Sequence, residues 1–289
     1  MLKTLRTFKL IQGVRTLHST KTIFCKTAEN EEPKYTHFGF ETVEEKEKVK
    51  KVYNVFETVA EKYDVMNDAM SLGIHRIWKD IFIERLGPCH GTKLLDVAGG
   101  TGDIAFRFLK YLQNLESDIN SEQSHVTVFD INQAMLDVGQ ARAEKLNLVK
   151  NGNISWMCGN AEELTEIKDN SYNAYTIAFG IRNVTNIDKV LSEAYRVLTP
   201  GGRFMCLEFS HLNNEILQKL YDQYSFQVIP VLGQLIAGQW KPYQYLVESI
   251  RKFPNQEDFK LMIEDAGFRN VTYENLTSGV VAIHSGFKL

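Results

Sequence analysis

Cysteine is scarce in this sequence. Cys25, Cys89, Cys158 and Cys206 are the whole supply, and no two stand at C-x-x-C spacing. That excludes a disulfide framework and a cysteine-built metal site, and it suits a reducing compartment. Missing too is any apolar run near the ~20 residues that span a bilayer. The nearest, "FQVIPVLGQLIAG" at Phe226–Gly238, is interrupted by Gln and Pro and reads as core or as a surface that touches lipid. There is no internal repeat and no long low-complexity tract. A last absence is local: residues 1–28 hold six of the 33 basic side chains and not one Asp or Glu. The rest of the chain therefore carries 27 basic against 36 acidic residues, a balance of −9. So acidic a body excludes nucleic acid as a main partner.

What is present begins with a leader. "MLKTLRTFKLIQGVRTLHSTKTIF" is basic and rich in Thr and Leu, and a helix would divide Leu2 and Leu5 from Arg6 and Lys9. It reads as a mitochondrial transit peptide over residues 1–28. "RTLHS" at Arg15–Ser19 resembles a matrix-processing site; a disordered basic tail is the plainer alternative. Residues 29–48 are polar apart from "YTHFGF" and read as linker. From residue 49, Val52, Tyr53, Phe56, Val59, Ala60 and Tyr63 repeat at helical spacing, and Ile74, Ile77, Trp78, Ile81 and Phe82 mark a second helix that stops at "LGPCHG". Residues 49–90 thus form a helical appendage ahead of any strand.

An alternation follows: "TKLLDVAGG" strand, 104–112 helix, "HVTVFDIN" strand, 134–146 helix, "ISWMCGNAEEL" strand and acidic loop, "AYTIAFG" strand, 187–198 helix, "GGRFMCLEFS" strand. Such alternation predicts an α/β fold with a doubly wound, mostly parallel sheet, whose ligands bind beyond the carboxyl ends of its strands. At the chain's end "RNVTYENLT" and "VVAIHSGFKL" lie too close for a parallel crossover, which predicts a C-terminal antiparallel hairpin.

The turn in "LLDVAGGTGDIAF" is the first candidate site. Gly100, Thr101 and Gly102 let backbone approach a ligand, and the next helix opens with free N–H groups. Gly100-x-Gly102-x-x-Ala105 also fits a loose dinucleotide fingerprint. Asp130, with Ile131 beside it, ends the second strand, where a carboxylate can accept both hydroxyls of a ribose; the alternative is an N-cap for the helix near Gln133. Asn160 can meet an adenine edge, and Ala161 supplies a backbone N–H. A pyrophosphate would want a basic group here, but Asp103 stands there instead. This favours S-adenosylmethionine over NAD.

The segments "FGFETVEEKEKVKKVYNVFETVAEKYDVMNDAMSLGIHRIWKD", "LLDVAGGTGDIAF", "FDINQAML", "FGIRNVTN", "YRVLTPGGRFMCLEFS" and "YQYLVESIRKFPNQEDFKLMIEDAGF" together resemble the ubiquinone/menaquinone biosynthesis C-methyltransferases, over Phe38–Leu289. The resemblance implies a class I S-adenosylmethionine methyltransferase fold over 49–289 with an N-terminal helical lid at 49–90. It also implies methyl transfer to a ring carbon, and it carries over Thr101, Asp130, Asn160 and Ala161 as cofactor contacts. With the leader it points to the mitochondrial branch. There the substrate is a polyprenyl-methoxy-benzoquinol, and the setting is the matrix face of the inner membrane, with peripheral contact. Other enzymes of a ubiquinone-biosynthesis complex are the implied partners, and a homodimer is the candidate assembly. Ala98 replaces the first Gly of the general methyltransferase turn, as the family has it, Ala178 stands where some relatives carry Ser, and the polar insertion at 113–124 should be peripheral.

For such chemistry a hydroquinol oxygen must gain negative charge. Arg182 follows the "AYTIAFG" strand at the same mouth as the cofactor turn. With a pKa above ~12 it is no base, but it can stabilise a hydroquinolate or orient a water. Asn183 can orient Arg182 or the quinol. The alternative for Arg182 is a salt bridge to an acid such as Glu208. In the lid, Tyr63, Asp64, Asn67 and His75 are polar groups among apolar ones. Asp64 and His75 are candidate proton acceptors, or else caps and structural polar groups. An NAD-dependent oxidoreductase and a cofactor-binding scaffold subunit are the competing readings.

Overall fold

In the computed structural model, residues 34–59, 67–68, 70–115, 122–212 and 214–289 are described. The leader, Tyr63, Asp64 and part of the 113–124 insertion lie outside them. The first described element corrects the linker reading. Residues 35–44 form an antiparallel hairpin, β1 (Tyr35–Phe38) and β2 (Glu41–Glu44). Gly39 makes the turn at φ 59°. Helix α1 (Glu45–Val59) starts four residues earlier than its apolar repeat suggests, because Glu45 and Glu47 favour the first turn of a helix. Helix α2 (Ile74–Leu86) follows, closed by Gly87 in the left-handed conformation.

The body then alternates as expected: β3 (Lys93–Val97), α3 (Asp103–Gln113), β4 (His125–Asp130), α4 (Gln133–Lys145), β5 (Ile154–Cys158), β6 (Tyr172–Ala178), α5 (Ile187–Val197) and β7 (Leu198–Phe209). Helices α6 (Glu215–Gln227), α7 (Ile229–Leu232), α8 (Lys241–Lys252) and α9 (Gln256–Asp265) lead to β8 (Arg269–Leu276) and β9 (Val281–Phe287). The sheet order is β5-β4-β3-β6-β7-β9-β8, and only β9 runs against the others. The C-terminal hairpin is as the sequence implies.

Strand β3 is buried on both faces from Leu94 to Val97, so it reads as an apolar run broken only by Asp96. Its alternate residues enter different cores. Leu94 packs with Phe82, Phe108 and Val126, whereas Leu95 and Val97 pack with Tyr175, Leu191 and Phe204. Chain order reverses between β3 and β6, so a crevice opens at their carboxyl ends. The backbone is tight there. Ala98 and Phe179 both take positive φ, 51° and 56°, although neither is Gly. Gly180 is required by contact, since a Cβ on it would lie 2.4 Å from the Ala98 methyl.

Candidate active site

A cavity of about 440 Å³ lies over the carboxyl ends of the central strands and is roofed by α1, α2, α6 and α8. One half is polar. The Gly100 N–H donates to Asp130 Oδ2 at 2.9 Å, and the Asn132 N–H donates to Asp130 Oδ1 at 2.8 Å. Burial pushes the Asp130 carboxyl up to about 6 against the pull of those amides. Asn132, not Asp130, caps α4, accepting the Met135 N–H. Asp130 is therefore left to face the cavity with Ile131 beside it.

Thr101 lines the cavity, and its hydroxyl oxygen accepts from Arg142 at 2.7 Å, leaving its own proton for another acceptor. Asn160 and Ala161 lie at the rim, where Asn160 Oδ1 accepts the Glu162 N–H. Gly102 is the exception among the expected cofactor residues. It precedes α3 at φ 80° and does not line the cavity; a Cβ there would meet Trp156 at 2.8 Å and Phe106 at 3.0 Å. It serves packing.

Sequence reasoning missed Asp96. This residue is fully buried at the cavity floor, with Oδ1 accepting the Thr176 hydroxyl at 2.9 Å and Oδ2 without a partner. Burial, with Asp103 and Asp130 nearby, pushes its carboxyl up to about 7. A single acid ending an apolar strand, as in "LLDVAGG", was the available signal. Asp103 is burdened by burial, yet Lys79 and Arg107 hold its carboxyl well below the usual range.

The other half of the cavity is aromatic and apolar. Trp78 packs against Phe179 and Phe209 with centroids 6.3 and 6.1 Å away, and its indole N–H donates to Thr277. Tyr221, Tyr224, Tyr243 and Tyr245 also line it, as do Ile229 and Leu246 from the "FQVIPVLGQLIAG" region and α8. Trp240 points elsewhere and is partly exposed.

Arg182 and Asn183 stand where the two halves meet, in a 3-10 turn after β6. Arg182 Nη1 donates to Glu208 Oε1 at 2.7 Å and to the Phe179 carbonyl at 2.6 Å, and the guanidinium lies over the Phe209 ring. The salt bridge weighed from sequence is thus present, and the same residue lines the cavity. Its Nε has no partner. Burial pushes the Glu208 carboxyl up, opposed by Arg182. Asn183 Oδ1 accepts the Tyr245 hydroxyl at 3.0 Å.

His75, at the start of α2, lines the cavity while its Nε2 meets Asp68 Oδ1 at 2.9 Å. Arg76 also holds Asp68, which keeps that carboxylate ionised and the imidazole proton on Nε2. His75 Nδ1 is buried with no partner, and burial lowers the pKa of the ring, with help from Lys79. Tyr63 and Asp64 lie outside the described residues.

Residues 42–288 match the model of the ubiE/COQ5 methyltransferase family. The chain is 67% identical over 260 residues to the mitochondrial 2-methoxy-6-polyprenyl-1,4-benzoquinol methylase of Drosophila melanogaster, covering 89% of this chain and 86% of that one. It is 59% identical over 279 residues to the Homo sapiens protein of the same name, covering 88% and 84%. Among solved structures, an S-adenosylmethionine-dependent methyltransferase from Thermotoga maritima superposes with a TM-score of 0.56 at 17% identity, over 82% of this chain and all of that one. At that identity the likeness speaks for the fold.

Proposed function

The chain belongs to the ubiE/COQ5 methyltransferase family, and on that premise we propose that it methylates a ring carbon of a 2-methoxy-6-polyprenyl-1,4-benzoquinol, the substrate named for its relatives. The dinucleotide oxidoreductase reading gives way to this membership, and the scaffold reading has no observation in its favour. One observation carries the proposal: a ribose-type carboxylate, an orphan carboxyl oxygen and a donor pair converge on one cavity whose far wall is aromatic.

The polar half fits S-adenosylmethionine. Asp130 offers its free lone pairs to ribose hydroxyls, and Asp96 Oδ2 offers an unpaired acceptor to an ammonium. Gly99 leaves no room for a side chain, since a Cβ would sit 2.7 Å from Val128. Bound there, the cofactor supplies a methyl group already activated on sulfur.

The chain supplies position and charge. Arg182 and Asn183 stabilise the oxyanion that a quinol hydroxyl becomes, which makes the ring carbon nucleophilic. His75 Nδ1, kept neutral, takes the hydroxyl proton, and Asp68 stabilises the resulting imidazolium. Once the new C–C bond has formed, the hydrogen on that ring carbon leaves to solvent as a proton, and the imidazolium returns its proton to the ring oxygen, restoring the quinol. The aromatic wall keeps water from the reacting oxygen and holds the ring in line, with reacting atoms ~3–3.5 Å apart.

The proposed setting is the mitochondrial matrix face of the inner membrane, with residues 1–28 as transit peptide. Other enzymes of ubiquinone synthesis are the proposed partners, and a homodimer is the proposed assembly. Exposed Ile216, Leu220, Leu235 and Leu72 suit peripheral contact with lipid, and no helix among the described residues is long and apolar enough to cross a membrane.

The test is incubation with methyl-labelled S-adenosylmethionine and a short-tailed 2-methoxy-6-polyprenyl-1,4-benzoquinol. The expected product is one methyl heavier, with label on a ring carbon. Label on oxygen, or no transfer by folded protein that binds the cofactor, overturns the assignment.

A further inference from the structure

Asn183 is held from two sides. Its peptide neighbour Val184 offers a carbonyl to the buried Lys48 Nζ of α1 at 2.7 Å. Its side-chain oxygen accepts the hydroxyl of Tyr245, which comes from α8, sixty-two residues on. Committing the oxygen to Tyr245 turns the amide nitrogen the other way. Among the described residues Asn183 Nδ2 makes no hydrogen bond, and the residue lines the cavity next to Arg182.

Tyr245 is itself locked. Its ring stacks on Phe38 of the N-terminal hairpin, with centroids 4.0 Å apart and planes 11° apart. The hairpin is pinned to the same helix by the Phe40 N–H, which donates to Glu248 at 3.0 Å. Burial raises the phenol's pKa, so the hydroxyl keeps its proton at working pH.

We propose that Tyr245 is a positioning residue for methyl transfer: its hydroxyl orients Asn183 so that the amide N–H groups face the quinol oxygen that becomes negative. This rests on reading Arg182 and Asn183 as the oxyanion-binding pair. Without the hydroxyl, the amide is free to rotate and present its oxygen to the oxyanion. The loss then appears as charge develops, not on binding.

Tyr245→Phe is a clean perturbation, since the Phe38 stack survives and only the hydroxyl goes. In the full chain, kcat should fall roughly three- to tenfold, the worth of one neutral hydrogen bond. KM for the quinol and affinity for S-adenosylhomocysteine should stay within about twofold. The rising limb of the kcat–pH profile should move to higher pH, because the bound quinol is harder to ionise. In an Asn183→Ala background, Tyr245→Phe should cost nothing more. Binding of 2-methoxy-4-nitrophenol, whose colour reports ionisation, gives a readout without turnover: its bound pKa should rise in the Tyr245→Phe variant.

An unmoved pH limb, or an equal loss in the Asn183→Ala background, overturns the proposal and leaves Tyr245 structural. Full turnover by Asn183→Ala removes the oxyanion pair, and this inference with it. A wild type that transfers no methyl to quinol overturns both, and is seen before any variant is made.

Discussion

Arg182→Ala has two effects that must be separated. The Arg182 and Glu208 side chains are 5% and 1% exposed, and their ion pair is 2.7 Å long. Removing the arginine strands a carboxylate in the core, at a cost of about 3–5 kcal/mol. At roughly 2–4 °C per kcal/mol for a domain of this size, the melting temperature should drop by about 6–20 °C. Glu208 keeps the Phe209 N–H at 2.9 Å, which argues for the lower part of that range. The raised pKa of Glu208 fixes the pH dependence. A carboxyl whose folded pKa is raised favours the fold while protonated, and that support is lost as pH rises through the folded value. The variant should therefore recover stability as the pH is lowered. Adding Glu208→Gln removes the stranded charge and should restore roughly 2 kcal/mol or more at neutral pH. Turnover should fall about 10²–10³-fold in both the single and the double variant, the scale for one oxyanion donor. Thermal melts and single-turnover methyl transfer read the two effects separately. A double variant that regains stability and near-normal turnover would refute the catalytic reasoning and leave Arg182 a structural cation.

Asp130→Ala should weaken S-adenosylmethionine binding by about 1–3 kcal/mol, measured by calorimetry. In the wild type the affinity should fall below about pH 6, where Asp130 takes up its proton. Asp96→Asn should stabilise the ligand-free protein at pH 8 and not at pH 4, because the stability tied to a neutral Asp96 is lost as pH rises through about 7. The same variant should bind cofactor more weakly, and equal stability at both pH values would contradict the burial argument. Gly180→Ala should cost about 1–3 kcal/mol by overpacking, and Ala98→Gly in the same chain should return most of it; denaturant melts that show simple additivity would break the proposed contact.

The parallel sheet was legible because β3, β4, β6 and β7 are mostly apolar segments separated by helical repeats, and the C-terminal hairpin because its strands are joined by four residues. Gly100, Thr101, Asp130, Asn160 and Ala161 could be brought to one cavity from the sequence because each lies at or just beyond the carboxyl end of a parallel strand. The Arg182–Glu208 pair was weighed from sequence and is present. The Tyr245–Asn183 contact was not legible, because it joins a helix to a turn across packing that no local pattern encodes. The β1–β2 hairpin escaped because its strands are four residues long, with Glu41 and Glu44 among their eight residues and no apolar alternation to distinguish them from linker. The packing of Gly102 against Trp156 and Phe106 was not legible, because a helix-opening glycine looks the same whether it makes room for a ligand or for a side chain.

The docking of that hairpin bears on the order in which the molecule can assemble. The Phe40–Glu248 hydrogen bond joins residues 208 apart in sequence, whereas Gly100 and Asp130 are only 30 apart. Closing a long loop costs more chain entropy than closing a short one, and distant contacts form slowly. The cofactor crevice can thus take shape from neighbouring βα units alone. The quinol side must wait until the far end of the chain returns to meet its beginning. Competence to hold the methyl donor precedes competence to spend it.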